Sequence, residues 1–283
     1  MTLTLGVDIG AGHLRAAVVD EGGRVRAEQR RPIDDLITTV AELVADVGGQ
    51  HALTGLGVAL PTAPSGEPGP LAKRLQTGTG LPTIVETAAR CATWAEHCFG
   101  AAADSSHAVL VDVGDALAGG MVLANRLRRG HAGRAAEFGH LRAVPGGRRC
   151  PCGQRGCWQQ YAGGRALVLG AYEYAAAGPG QQPTAEQVLL AAEAGDPAAR
   201  SVRGDVLRWL GHGLARLATV LDPQVFVLAG LFARASADVL AGVTAAYTEH
   251  LTAAGFSTPA QVRSGTLGPD ATVVGAAVLA AGG

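Results

Sequence analysis

Apolar positions along this chain fall into two periods. Leu36, Val40, Leu43, Val44 and Val47 recur at helical spacing, and Gly48 after them supplies a C-terminal stop. Thr184-Ala185-Glu186-Gln187 has the form of a capping box, opening a helix that Gly195 closes. Asp196-Pro197 starts a longer helix through Val202, Val206, Leu210 and Leu214, and Asp222-Pro223 ends it before an apolar strand, Val225–Leu228. The terminal run from Ala271 to Ala281 is apolar but too short to span a bilayer, which predicts a buried helix. Elsewhere the apolar runs are short and end in turns: Leu5–Gly10 followed by Leu14–Val19, and Leu110–Gly114 followed by Gly120–Leu123. The first and third of these echo each other, Val7-Asp8-Ile9-Gly10 against Val111-Asp112-Val113-Gly114, at an offset of 104 residues. Coincidence aside, two strand-turn-strand hairpins at that separation predict a duplicated α/β domain with a cleft between the copies. Strands alternating with helices place the chain in the α/β class. Residues 61–70 (PTAPSGEPGP) read as a Pro- and Gly-rich loop.

Composition narrows the function classes. With 283 residues, 48% hydrophobic and 17% charged, the chain has enough apolar material for one large core or two moderate ones and is too apolar for disorder. The formal net charge of −1 creates no global field toward nucleic acid or anionic membranes. The start, Met1 to Leu5, has no basic segment before an apolar one, so no secretory signal is expected, and the expected location is the cytoplasm. Of 23 basic residues only Lys73 is lysine. Nine arginines (126, 128, 129, 134, 142, 148, 149, 155, 165) fall between 126 and 165 against one acid, Glu137. That stretch reads as a solvated arginine-rich face or as a dock for an anion or acidic partner.

The five cysteines are an odd count, and three crowd into residues 150–157. Together with His140 they offer three thiolates and an imidazole, a closed tetrahedral set of the kind structural zinc prefers. Free thiols in a turn, or a redox pair, are the other reading. Cys91 and Cys98, seven apart on an expected helix, read as core residues. The remaining histidines read as surface or core groups, with His13 and His131 possible neighbours of the cleft.

Ala136-Glu137-Phe138-Gly139-His140, followed by Cys150-Pro151-Cys152-Gly153-Gln154-Arg155-Gly156-Cys157, resembles the ROK family of bacterial sugar kinases and sugar-responsive repressors. Weaker similarity runs from the Asp8 hairpin through Leu221-Asp222-Pro223 to Val274-Gly275-Ala276-Ala277. The resemblance implies the two-domain actin/hexokinase-like (ribonuclease H-like) fold with a zinc loop. The expected domains are 1–108 plus 271–283, and 109–270. It further implies a sugar site bordered by Glu137, His140 and Gln159, a nucleotide held near Asp8, Gly10, Gly114 and Gly230, and zinc on His140, Cys150, Cys152 and Cys157.

Against the family pattern the kinase motifs are altered. The first phosphate hairpin of the family, Asp-x-Gly-Gly-Thr-Lys, is here Asp8-Ile9-Gly10-Ala11-Gly12-His13, without the hydroxyl and the ammonium. The second, Gly-Thr-Gly, is Gly114-Asp115-Ala116, with a carboxylate that repels phosphate and a Cβ where the backbone should approach closely. The family's catalytic Asp, in Glu-Asn-Asp-Ala, is replaced by Ala88 in Val85-Glu86-Thr87-Ala88-Ala89. Its sugar-binding Glu is Gln159, its Gly-Gly near the adenosine is Ala229-Gly230, and the segment between Pro61 and Val85 is shortened and lacks a sugar-binding Asn. Glu86, read as on a strand, would share the face of Ala88 one pleat away.

The expectation is therefore a cytoplasmic ROK-type protein with a structural zinc. It binds a sugar or related metabolite and acts in regulation or with a protein partner, with catalysis lost or weak. An ATP-dependent kinase for a hexose, amino sugar or cyclitol, using MgATP and a relocated base such as Glu86 or Asp115, is the alternative. A purely structural subunit is a third class. The family implies a homodimer or tetramer. Direct DNA binding is not expected, since no helix-turn-helix segment precedes Val7 and aromatic residues make up only 4% of the chain.

Overall fold

The computed structural model describes residues 2–10, 12–48, 51–62, 69–174, 182–233, 236–255 and 258–282. Ala11 of the first hairpin and residues 63–68 of the Pro/Gly-rich segment lie outside the described residues. The chain divides into two compact units. One comprises Met1–Asp104, Gly120–Ala135 and Leu267–Gly283, the other Ser105–Gly119 and Ala136–Thr266.

The first unit is built on a five-stranded sheet. Its strands are β1 (Leu3–Ile9), β2 (His13–Asp20), β3 (Val25–Pro32), β4 (Leu53–Leu60) and β5 (Thr83–Thr87), in the order β3-β2-β1-β4-β5. The first three are antiparallel neighbours, and β4 and β5 join in parallel. Helices α1 (Leu36–Gly48) and α2 (Gly69–Thr79) follow β3 and β4. The helical stripe read from the sequence is the buried one, with Val40, Leu43, Val44 and Val47 packed in one cluster with Leu5, Val7, Leu56 and Val58. Gly69 and Pro70, read as loop, open α2.

The opposite face of this sheet carries Gly6 and Gly57, paired across β1 and β4. A Cβ on Gly57 would stand 1.8 Å from the carbonyl oxygen of Ala276, so backbone packs directly on backbone there. What packs is α9 (Ala271–Ala280), the predicted buried helix, which also lies against α3 (Ala88–Phe99). That double burial explains why α9 has no polar stripe. Glu96, buried near the end of α3, accepts the backbone N–H of Ala101 at 2.7 Å and that of Leu267 at 2.9 Å, tying the helix end to the approach to α9.

The second unit holds β6 (His107–Val113), β8 (Val225–Gly230) and β9 (Gln261–Ser264) in parallel. Strand β7 (Leu117–Leu123) lies beside β6, giving the order β7-β6-β8-β9, and the boundary between the units falls within it. After it come the 3₁₀ turn Phe138–His140 and helices α4 (Gln159–Ala162), α5 (Gly164–Glu173), α6 (Ala185–Glu193), α7 (Pro197–Leu221) and α8 (Ala237–Ala253). The capping box forms as read: Thr184 accepts the Gln187 backbone N–H while the Gln187 side chain accepts that of Thr184. Asp196 caps α7 through the Ala199 N–H, and Pro197 occupies its first turn. Trp158, wholly buried just before α4, donates its indole N–H to the Trp209 carbonyl of α7 at 2.6 Å. No helix among the described residues is long and apolar enough to cross a membrane.

Candidate functional site

His140 ends the 3₁₀ turn that Phe138 anchors in the core, and the three cysteines follow on a compact loop. That loop folds on its own backbone. Cys150 N–H donates to Gln154 O, Gly153 N–H to Cys150 O, and the N–H groups of Ala143 and Val144 both donate to Gly156 O. The result gathers one donor atom from each of His140, Cys150, Cys152 and Cys157 within 4.8 Å of one another. Thiolates about 2.3 Å from a tetrahedral zinc stand about 3.8 Å apart. Cys152 Sγ and Cys157 Sγ are 3.7 Å apart, and Cys150 Sγ is 3.8 Å from His140 Nδ1. The donor set therefore fits a closed structural zinc, as the sequence predicts. Burial resists ionising Cys150, but hydrogen bonds from Cys152, Cys157 and Gln159 carry its thiol below the ordinary range. Burial, followed by hydrogen bonds with Cys152 and Cys150, drives Cys157 upward.

The three residues expected to border a sugar lie in the same unit but differ in exposure. Glu137 precedes the 3₁₀ turn and is exposed, as is His140, whereas Gln159 is 7% exposed at the start of α4. Gln159 Nε2 donates to Cys150 Sγ at 3.1 Å. The sequence alone carries no sign of that contact, because the partners sit on different elements.

Among the nucleotide positions, Asp8 and Gly10 stand at the end of β1, where Gly10 N–H closes a tight turn on His13 O at 2.9 Å. Burial pushes the Asp8 carboxyl above its ordinary range, against the pull of the Arg15 and His13 charges. In the second unit the turn at Gly114 closes by Gly114 N–H to Ala116 O at 3.0 Å. The first backbone N–H groups of α5 are spent on that turn: Gly164 donates to Gly114 O at 2.7 Å and Arg165 to Asp115 O at 3.1 Å. Such donors at a helix N-terminus would otherwise be free to bind an anion. Gly230, at the end of β8, has φ +65° and no room for a side chain beside the Val113 carbonyl.

The position of the expected base differs from the strand-face picture. β5 ends at Thr87, and Ala88 is the first residue of α3, so Glu86 and Ala88 are not successive residues on one pleated face. Glu86 is buried, with both oxygens engaged. Oε1 accepts the Thr87 N–H and Arg90 Nη1, each at 2.9 Å, and Oε2 accepts Arg129 Nε at 2.6 Å. Arg90 continues the network from Nη2 to Gly133 O at 2.6 Å and Ala135 O at 3.0 Å. The sequence does not display this network as a motif, because its members come from three separate segments. The i, i+4 spacing of Glu86 and Arg90 was its only local signal. Asp115 is exposed on its turn.

The arginine-rich stretch resolves into separate roles. Arg148 pairs with Glu173 at 3.0 Å and stacks over Tyr161, Arg155 donates to Gly147 O and Arg142 to Gln154. Arg128 donates to the Leu123 carbonyl.

The ROK family model matches residues 4–282. A glucokinase of Streptomyces coelicolor is 35% identical over 99% of this chain and 98% of its own length. An N-acetylmannosamine kinase of Escherichia coli is 30% identical over 99% and 98%. A ROK family glucokinase from Streptomyces griseus, solved in complex with glucose and AMPPNP, superimposes with a TM-score of 0.86. It is 34% identical, over 99% of this chain and all of that one.

Proposed function

The chain belongs to the ROK family of sugar kinases, and from that premise we propose that it binds a hexose or amino sugar without transferring phosphate to it efficiently, as a metabolite-responsive regulator or partner protein. The carrying observation is at the head of α3: Ala88 offers no proton acceptor, and Glu86 is held through both oxygens by Arg90, Arg129 and the Thr87 N–H. A carboxylate whose two oxygens are both held by protein donors is pinned in place and is not presented to a substrate hydroxyl. A positioned base is worth about 10²–10⁴ in rate. The altered hairpins at Gly10 and Gly114 remove phosphate contacts on top of that loss.

The ligand class follows from the relatives, which are kinases of glucose and of N-acetylmannosamine. Glu137 and His140, with the more buried Gln159, are the side chains assigned to its hydroxyls. Asp8, Gly10, Gly114 and Gly230 are the residues assigned to MgATP, which when bound would supply the phosphoryl group. A cytoplasmic homodimer or tetramer with a zinc-stapled loop is the form assigned to it.

The kinase reading keeps one support, the identity to a glucokinase and to an N-acetylmannosamine kinase over nearly the whole chain. Its base would be Asp115, the carboxylate that is exposed rather than ion-paired. The two readings separate in one experiment. Zinc-loaded protein is incubated with magnesium, ATP and a pool of hexoses, amino sugars and cyclitols, with product sought by mass spectrometry and binding by thermal shift. A sugar-dependent rise in melting temperature without phosphorylated product is expected. Product in proportion to protein, abolished in Asp115→Asn, overturns the proposal. Ala88→Asp alone is expected to yield no robust kinase, because the phosphate hairpins remain altered.

A further inference from the structure

We propose that Gln159 is a positioning residue of the metal centre, its carboxamide N–H holding the Cys150 thiolate in place at the rim of the cluster. The juxtaposition is specific: Gln159 Nε2 lies 3.1 Å from Cys150 Sγ, and both residues are buried. The orientation of the carboxamide follows from chemistry, because turning its oxygen to the sulfur would face two electron-rich atoms. The oxygen lies instead over Gly139, where a Cβ would stand only 2.6 Å from it. Gln159 therefore spans from a ligand on the cysteine loop to the turn that carries the His140 ligand.

Charge explains why an amide suits this place. Three thiolates and a neutral imidazole around a divalent zinc leave a net charge of −1 on the cluster. An anionic cluster whose Cys150 and Cys157 sulfurs are buried is stabilised by N–H donors to those sulfurs, and groups that orient first ligands carry part of the affinity. A carboxylate of the same length would put a second negative charge within hydrogen-bonding distance of Cys150. The backbone fixes the donor: Gln159 opens α4 directly after Trp158, which is wholly buried and anchored on Trp209 O. Cys150 is thus held by a side chain as well as by its own loop, whose Gln154 O accepts the Cys150 N–H at 2.9 Å.

The test reads the metal, not catalysis. Wild-type protein and the variants Gln159→Leu and Gln159→Glu are loaded with cobalt(II) in place of zinc. Their sulfur-to-cobalt charge-transfer bands are recorded, and zinc affinity is measured by chelator competition. Loss of the N–H donor in Gln159→Leu is expected to move the band to longer wavelength and to weaken zinc binding about 10–100-fold, with at least as large a loss in Gln159→Glu. A purely packing role would leave the band in place, and an unmoved band with unchanged affinity in both variants overturns the proposal. Should the variants fail to fold, wild-type protein loaded with cadmium-113 decides. A scalar coupling between cadmium and a Gln159 carboxamide proton is expected across the N–H to sulfur bond, and its absence from an otherwise assigned, metal-bound spectrum overturns the proposal.

Discussion

Two carboxylates in the first unit illustrate how burial decides what an acidic residue does. Asp8 is partly buried at the end of β1, and burial raises its carboxyl against the weaker pull of Arg15 and His13. A folded-state value above the ordinary one means that ionised Asp8 costs folding free energy, in full above the raised value and not at all once the pH lies below the ordinary range near about 4. Asp8→Asn should therefore raise the melting temperature at pH 7, with the gap to wild type narrowing as pH is lowered toward about 4. An unchanged or lower melting temperature at pH 7 would show that the carboxylate is not strained. Glu86 is the opposite case, buried but fully partnered. Removing it in Glu86→Gln leaves the Arg90 guanidinium, 4% exposed, without its counter-charge, for an expected loss of about 3–5 kcal/mol. Arg129→Ala removes only the partner that is 46% exposed, for about 0–1 kcal/mol. Urea unfolding of the two variants checks the ranking, and equal losses would contradict it.

At the scale of elements, α7 and α8 join through a chain of rings. Tyr161 lies tilted against Trp209 at 4.8 Å, Trp209 against His212 at 5.1 Å, and His212 meets His250 of α8 edge-on at 3.4 Å between centroids. Burial, then the charges of His250, Arg216 and Arg208, lower the His212 value, with only Glu249 opposing. The folded state thus binds this proton less readily than the unfolded chain. The stability it contributes is complete above about pH 6.5 and is lost as pH falls from there through the depressed folded value. Replacing the ring by a neutral one in His212→Phe should flatten the decline of melting temperature between pH 7 and 5. An identical decline in variant and wild type would assign it to other groups. The helices α1, α7 and α9 and the capping box were legible in sequence because each carries its signal locally, in a stripe, a cap or an unbroken apolar run. β3 was not legible: its residues, VRAEQRRP, alternate only between exposed and half-buried, since it is an edge strand whose existence depends on pairing with β2. The start of α3 at Ala88 was hidden for a related reason. Thr87 gives it no side-chain cap, so nothing marks the change from strand to helix.

For the whole molecule, what the sequence disclosed about the site scales with how local the chemistry is. The four candidate metal ligands fall within eighteen residues and their grouping is visible in the sequence, whereas Glu86 and Arg129 are 43 residues apart and meet only through the fold. A metal held by the four candidate ligands would make the two units thermodynamically distinguishable. All four ligands lie in the second unit, and so do Trp158 and Trp209, while Trp94 belongs to the first. The indole N–H of Trp94 is buried without a hydrogen-bond partner, so Trp94→Phe removes an unsatisfied donor and leaves a protein whose fluorescence reports the second unit alone. A metal that binds only the folded state stabilises it by about 2.7 kcal/mol at a free concentration 100-fold above its dissociation constant. For a unit of this size that corresponds to about 5–10 °C. Melting the Trp94→Phe protein with zinc and with a chelator should separate the two fluorescence transitions by at least that interval. The stabilisation should be lost again in Cys157→Ser, which keeps the size of the side chain but not the thiolate. A transition indifferent to zinc would mean that the thiols and His140 pack as a reduced loop and hold no metal, and the closed tetrahedral site would have to be abandoned.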